Sequence, residues 1–165
     1  ARAFGGQVRA IPKGREIGIG RMIQLTPEGV RHPMYSGKPA CFSALTVHMD
    51  EVSVAPEGAV ILAGNDYSDI QAFVMENDGL RFWGVQYHPE YTLAELAAIF
   101  RRYGQRLIDA GLFADQGALD RMANDWETLH NHPERKDLAW QYGVDDNARL
   151  AERRMTELGN WLASI

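Results

Sequence analysis

Arg81-Phe82-Trp83-Gly84-Val85-Gln86-Tyr87-His88-Pro89-Glu90 decides how the rest of the chain is read. Its first part is rich in aromatic and β-favouring residues, the composition of a half-buried strand. Pro89 has no amide proton for a sheet ladder, so it ends the strand and biases His88 towards extended backbone. His88 and Glu90 are spaced i and i+2 and can lean the same way from the strand end. A carboxylate beside an imidazole holds its tautomer and stabilises the imidazolium formed during proton transfer. The pair is the base and orienter of a nucleophilic triad whose nucleophile lies elsewhere. A second tripeptide, His132-Pro133-Glu134, has no strand before it and reads as a loop or a first helical turn, so the strand gives the first copy its meaning.

The segments before this strand support it. Ile70 to Glu76 and Leu80 to Tyr87 flank Asn77-Asp78-Gly79, and Asp-Gly is a strong hairpin signal. Ala59 to Ala63 is a short apolar run suited to an inner strand. Cys41 to Val52 reads as one strand with a polar tail. From Glu16 to Leu25 the residues Ile17, Ile19, Ile23 and Leu25 alternate with Gly18 and Gly20, glycines that admit close packing or a bulge. Thr26-Pro27 starts a turn or short helix, and Gly5-Gly6 closes a helical turn before a strand over Gln7 to Ile11. Beyond Glu90, Thr92 and Glu95 form a capping box, and Leu96, Ile99, Phe100, Tyr103 and Leu107 continue one helix to Gly111. After Asp115, Leu119, Met122, Ala123 and Trp126 mark an amphipathic helix, and Ala151, Met155, Leu158, Leu162 and Ile165 mark another. Residues 1–114 are expected to form the main unit and 115–165 a helical extension packed on it.

The 165 residues suffice for one core with a helical appendage. A net charge of -5 without a basic cluster speaks against nucleic acid or an anionic membrane as partner. No apolar run approaches a bilayer span. One cysteine excludes an internal disulfide and fits a reducing cytoplasm.

Gly84-Val85-Gln86-Tyr87-His88-Pro89-Glu90 resembles the G-[VI]-Q-[FY]-H-P-E signature of class I glutamine amidotransferases, closest to the glutaminase module of GMP synthase and its stand-alone relatives. The resemblance implies an α/β fold: an open, mostly parallel, flavodoxin-like three-layer sheet with flanking helices, joined by the hairpin and the helical tail. It implies a Cys-His-Glu triad in which His88 and Glu90 serve a cysteine expected about seven residues before Ala1, on a nucleophile elbow that this sequence does not contain. His48-Met49-Asp50 resembles the family's H-x-D-x-V segment, which places these three beside the substrate glutamine. No cofactor is implied. No pyrophosphatase loop or Walker A sequence is present, so ammonia from glutamine would pass to a separate synthase partner, or the same thioester chemistry would serve a simple amidase or γ-glutamyl hydrolase; a homo-oligomeric partner is the other association implied.

Cys41 lacks the flanking glycines of an elbow and reads as a small buried residue, and Ser43 lacks them too. Two other readings stay open. His48, Asp50, His88 and Glu90 are two His-x-carboxylate pairs that would hold a divalent metal if their strand ends converged. A non-catalytic amidotransferase-like binding module is the remaining alternative. The segment on its own is expected to expose a sheet edge and to aggregate.

Overall fold

The computed structural model describes every residue except Asp78, so that residue of the expected Asn77-Asp78-Gly79 turn lies outside the described residues, while Gly79 has the positive φ, 78°, that such a turn needs. Arg2–Phe4 forms a 3-10 turn closed by Gly5. The strands and helices then follow in order: β1 (Gln7–Ala10), β2 (Glu16–Leu25), α1 (Pro27–Arg31), β3 (Cys41–His48), β4 (Asp50–Val54), β5 (Val60–Gly64), β6 (Ala72–Asn77) and β7 (Leu80–Val85). The helical part comprises α2 (Leu93–Arg102), α3 (Gly104–Asp109), α4 (Gln116–Asn131), α5 (Lys136–Tyr142), α6 (Asp146–Arg149), α7 (Ala151–Arg154) and α8 (Thr156–Ala163).

Five strands form a sheet in the order β3-β2-β5-β6-β7, and β1 pairs with β4 in a separate ribbon. The fold is α/β with a hairpin, as expected, but every described ladder is antiparallel rather than mostly parallel. The connections explain this. A parallel pair needs a crossover of a dozen or more residues, usually helical, whereas β6 and β7 are joined directly with Asn77 opposite Leu80. The long helices all come after the last strand.

The glycines of β2 do what the alternation requires. Gly18 has φ 103°, and a Cβ there would touch Trp126 and Phe100, so helices α2 and α4 lie against the strand. At Gly20 a Cβ would collide with the Thr46 methyl across the ladder, whose register shifts just beyond it, between Gly20 and Ile23. The expected strand over 41–52 is divided: β3 ends at His48, and β4 starts at Asp50 in the other ribbon. A sequence pattern has no view of this division, because a polar strand end and a change of sheet look alike.

One core cluster joins Leu45 of β3 to Leu96 and Phe100 of α2 and to Leu119, Ala123, Trp126 and Leu129 of α4. Residues beyond 115 thus share a core with those before it. The helix after the capping box breaks at Tyr103, where buried Gly104 lets Leu119 approach. The last expected helix is also two, α7 and α8, and its apolar stripe is not the buried face. Ala151, Met155, Leu162 and Ile165 are exposed and Leu158 is half-buried. Arg154 and Glu157 are buried instead. Glu157 faces inward and meets the Lys38 ammonium at 2.8 Å, so neither buried charge is left without a partner. The Asn160 side chain adds hydrogen bonds to the carbonyls of Met34 and Ser36, both 2.9 Å.

Candidate active site

The signature strand leaves its ladder earlier than the sequence pattern suggests. β7 ends at Val85, after which the Gln86 amide donates to the Gln71 carbonyl (2.7 Å) and the His88 amide to the Leu45 carbonyl (2.8 Å). This crossing seats His88 beside β3. His88 Nδ1 lies 2.7 Å from Glu90 Oε1, and the ring stacks on Tyr91 with centroids 4.2 Å apart and planes 10° from parallel. With Glu90 on Nδ1, Nε2 is the nitrogen left for a reacting group. The side chains are 28% and 51% exposed, so the pair sits at an open surface. The His132-Pro133-Glu134 copy occupies the loop between α4 and α5, with its pair at 3.3 Å and exposed at 62% and 72%.

The second expected group, 48–50, lies next to the first. Gln86 Nε2 donates to the Asp50 carbonyl at 3.1 Å. The His48 ring faces inward, with Nε2 2.8 Å from Glu16 Oε2 and Nδ1 3.0 Å from the Asp50 carbonyl oxygen. A carbonyl only accepts, so Nδ1 carries a hydrogen, and a further proton lies between Nε2 and the carboxylate. Glu16, 3% exposed, also accepts from Gln71 Nε2 (2.7 Å) and Asn65 Nδ2 (2.6 Å). His48 is thereby a support for the β3–β4 junction, and Met49 and Asp50 are its exposed residues. All three line a groove of about 570 Å³ between β2, β3 and helices α2 and α3, with Arg15, Gln86, Tyr103 and Arg106 also on its walls.

Cys41 is exposed rather than buried, 3.9 Å from the Met22 sulfur at the far end of β3. It lies four positions before Leu45, whose carbonyl accepts from the His88 amide, a distance of about 13 Å along an extended strand. It is thus remote from the His88 ring. The two His-x-carboxylate pairs do not converge on a metal site: among the described residues, no group of three or more His, Cys, Asp or Glu side chains is arranged to hold a metal. Both nitrogens of His48 are already engaged.

Sequence reasoning missed three contributors. Glu16 reads only as the start of a strand, and nothing in the sequence pattern singles out Glu157 or Tyr91. Only the position of Tyr91, two residues past Pro89 in a turn, hinted that it could reach back to His88.

Residues 1–104 match the family model of Glutamine amidotransferase class-I. A γ-glutamyl-L-1-hydroxyisopropylamide hydrolase of Pseudomonas is 32% identical over 142 residues, 85% of this chain and 47% of that protein. A GMP synthase [glutamine-hydrolyzing] of Streptomyces coelicolor is 33% identical over 95 residues, 58% of this chain and 16% of that protein. The chain spans less than half the length of these relatives. Among solved structures, a glutamine amidotransferase from Methylobacillus flagellatus superposes on 100% of this chain and 58% of its own with a TM-score of 0.62 at 21% identity, which shows the fold. Among the described residues no helix is long and apolar enough to cross a membrane. With the family model covering most of its length and this signature at its strand end, the chain belongs to the class I glutamine amidotransferase family.

Proposed function

We propose that this chain carries the base half of a Cys-His-Glu triad that hydrolyses the γ-amide of glutamine or of a related γ-glutamyl compound. The observation that carries the reading is the 2.7 Å contact of His88 Nδ1 with Glu90 at the end of a sheet-supported segment. A cysteine thiolate attacks the amide carbon, and His88 Nε2 delivers a proton to the departing amine. The same nitrogen then takes a proton from water, which cleaves the γ-glutamyl thioester and releases glutamate. Glu90 keeps the ring in the tautomer that exposes the Nε2 lone pair. Met49 and Asp50 contact the γ-glutamyl part, and the Glu16–His48 pair holds their backbone. Such thiol chemistry suits a reducing cytoplasm.

The departing amine distinguishes two versions of the activity. Released ammonia passes to a synthase partner, or a substituted amine is simply set free. The second version draws support from the Pseudomonas amide hydrolase, because that similarity runs through 85% of the chain and includes much of the helical tail.

The test is amine release from glutamine and from γ-glutamyl amides by the natural polypeptide that contains these residues. His88→Ala is expected to lower kcat by about 10²–10⁴-fold, the usual contribution of a positioned acid–base group. Cys41→Ala should leave it within twofold. Full activity in His88→Ala, or loss in Cys41→Ala, would overturn the assignment, and no turnover of any γ-glutamyl amide would leave a binding module.

A further inference from the structure

We propose that Glu157, on the last helix, is a positioning residue for His88 and acts through the hydroxyl of Tyr87; the inference rests on His88 being the triad base. Tyr87 immediately precedes His88 in the stretch where the chain has already left the β7 ladder. Its side chain is 2% exposed, and its ring meets Phe42 edge-on with centroids 5.6 Å apart. Its hydroxyl donates to Glu157 Oε1 at 2.6 Å. That hydroxyl has one hydrogen, so the 2.9 Å contact with Tyr35 is made by the Tyr35 proton. The other oxygen of Glu157 is held by Lys38 Nζ at 2.8 Å, with both side chains almost wholly buried. Lys38 is fixed in turn by the Arg153 carbonyl and the face of the Phe42 ring.

The segment from 86 to 88 is therefore held by two backbone hydrogen bonds and by a side chain tied to a buried, doubly bonded carboxylate. The His88–Glu90 pair is too exposed to hold itself, since pairs of that kind in water are weak. Its 2.7 Å separation depends on where the backbone places the imidazole. A buried ion pair adds little to stability compared with apolar residues of similar volume. What the Lys38–Glu157–Tyr87 chain does supply is a directional link from the tail to the residue next to the base.

The readout is the tautomer of the neutral His88 ring, measured by long-range proton–nitrogen correlation on the nitrogen-15-labelled natural polypeptide that contains these residues and assigned by loss of its signals in His88→Gln. A free imidazole favours the Nε2–H form, whereas a carboxylate accepting at Nδ1 selects Nδ1–H. The unmodified chain should be mainly Nδ1–H. Tyr87→Phe keeps the ring and the Lys38–Glu157 pair and removes only the link; it is expected to raise the Nε2–H to Nδ1–H ratio about threefold, the loss of a weak surface pair. Glu157→Gln should do the same, the double variant should do no more, and His48 should keep its spectrum throughout. Because Glu157→Gln leaves Lys38 buried without its partner and can loosen the tail, folded Tyr87→Phe decides the outcome. An unchanged ratio in that variant overturns the inference and leaves the triad standing. A predominantly Nε2–H ring in the unmodified chain overturns both.

Discussion

Removing the carboxylate of Glu16 should unfold this chain far more readily than a change at the first residue of a strand ordinarily would. Glu16 is 3% exposed and accepts from two buried donors, His48 Nε2 and Gln71 Nε2, and from the half-buried Asn65 Nδ2. In Glu16→Ala each donor loses this acceptor, and a buried donor left without any partner costs about 1–3 kcal/mol. Two of the three have a fallback, since Gln71 also reaches Asn65 Oδ1 at 3.0 Å and Asn65 reaches the Arg21 carbonyl at 3.2 Å. His48 bears the full loss. The sum is about 3–5 kcal/mol, the range for breaking a buried pair by removing one partner. Urea unfolding followed by tryptophan fluorescence measures it; with a slope of about 1–3 kcal/mol per molar urea, the midpoint falls by roughly 2 M. Adding His48→Ala to Glu16→Ala should then cost little, because the contact is already gone, giving a coupling of about 2 kcal/mol. A Glu16→Ala loss under about 1 kcal/mol, or strict additivity of the two changes, would show that the carboxylate does not hold this network together.

Thr92→Ala removes the capping box of α2, in which the Glu95 amide donates to Thr92 Oγ1 and the Thr92 amide to Glu95 Oε2; a loss of about 1 kcal/mol in urea unfolding is expected. Gly29→Ala places a Cβ against the Leu62 backbone carbonyl, so a loss of about 1–3 kcal/mol or more and poor solubility on expression should follow. Alkaline pH should also weaken the fold. Burial pushes the hydroxyls of Tyr35 and Tyr87 well above their ordinary value of 10, so above pH 10 the unfolded chain sheds protons that the folded one keeps, and stability falls as pH rises. Burial acts on the Lys38 ammonium in the opposite sense, lowering it from 10.5, so its contribution rises with pH until the unfolded lysine has lost its proton. The two senses separate above pH 10.5. There the urea midpoint should drop in the unmodified chain and drop less in Tyr35→Phe; an equal drop in both would refute the assignment to the buried tyrosines.

What could be read from the sequence was what is local. The alternation of β2, the capping box of α2, the apolar face of α4 and the approach to His88 depend on neighbours within a few residues, and the structure has each of them. The antiparallel strand order was not legible, because it depends on which distant segments pair. The resemblance supplied an expectation of a mostly parallel sheet that the ladders of this segment do not have. The tail was misread for a related reason. A stripe of Met155, Leu162 and Ile165 outweighs one glutamate in any periodicity argument, but Glu157 has a lysine waiting 119 residues away, and that partner inverts the face that is buried. The inward turn of His48 likewise follows from Glu16, 32 positions earlier.

The two His-Pro-Glu tripeptides show what makes a motif chemically competent. Both fold so that the imidazole and the carboxylate approach each other, at 2.7 Å in one and 3.3 Å in the other, because Pro at the middle position sets that geometry locally. The pairs differ in what lies behind them. His132 closes α4 at an exposed loop, and its backbone carbonyl binds the Arg135 amide of the same loop. His88 is anchored by its amide to β3, stacked on Tyr91 and preceded by a tyrosine sealed into the core. An acid–base group has to be held within a fraction of an ångström of its working position, and rigid elements do this better than loops. A carboxylate beside an imidazole is thus common and cheap to form; a sheet, a core aromatic and a buried anion behind it are what would let one of the two copies act on a substrate.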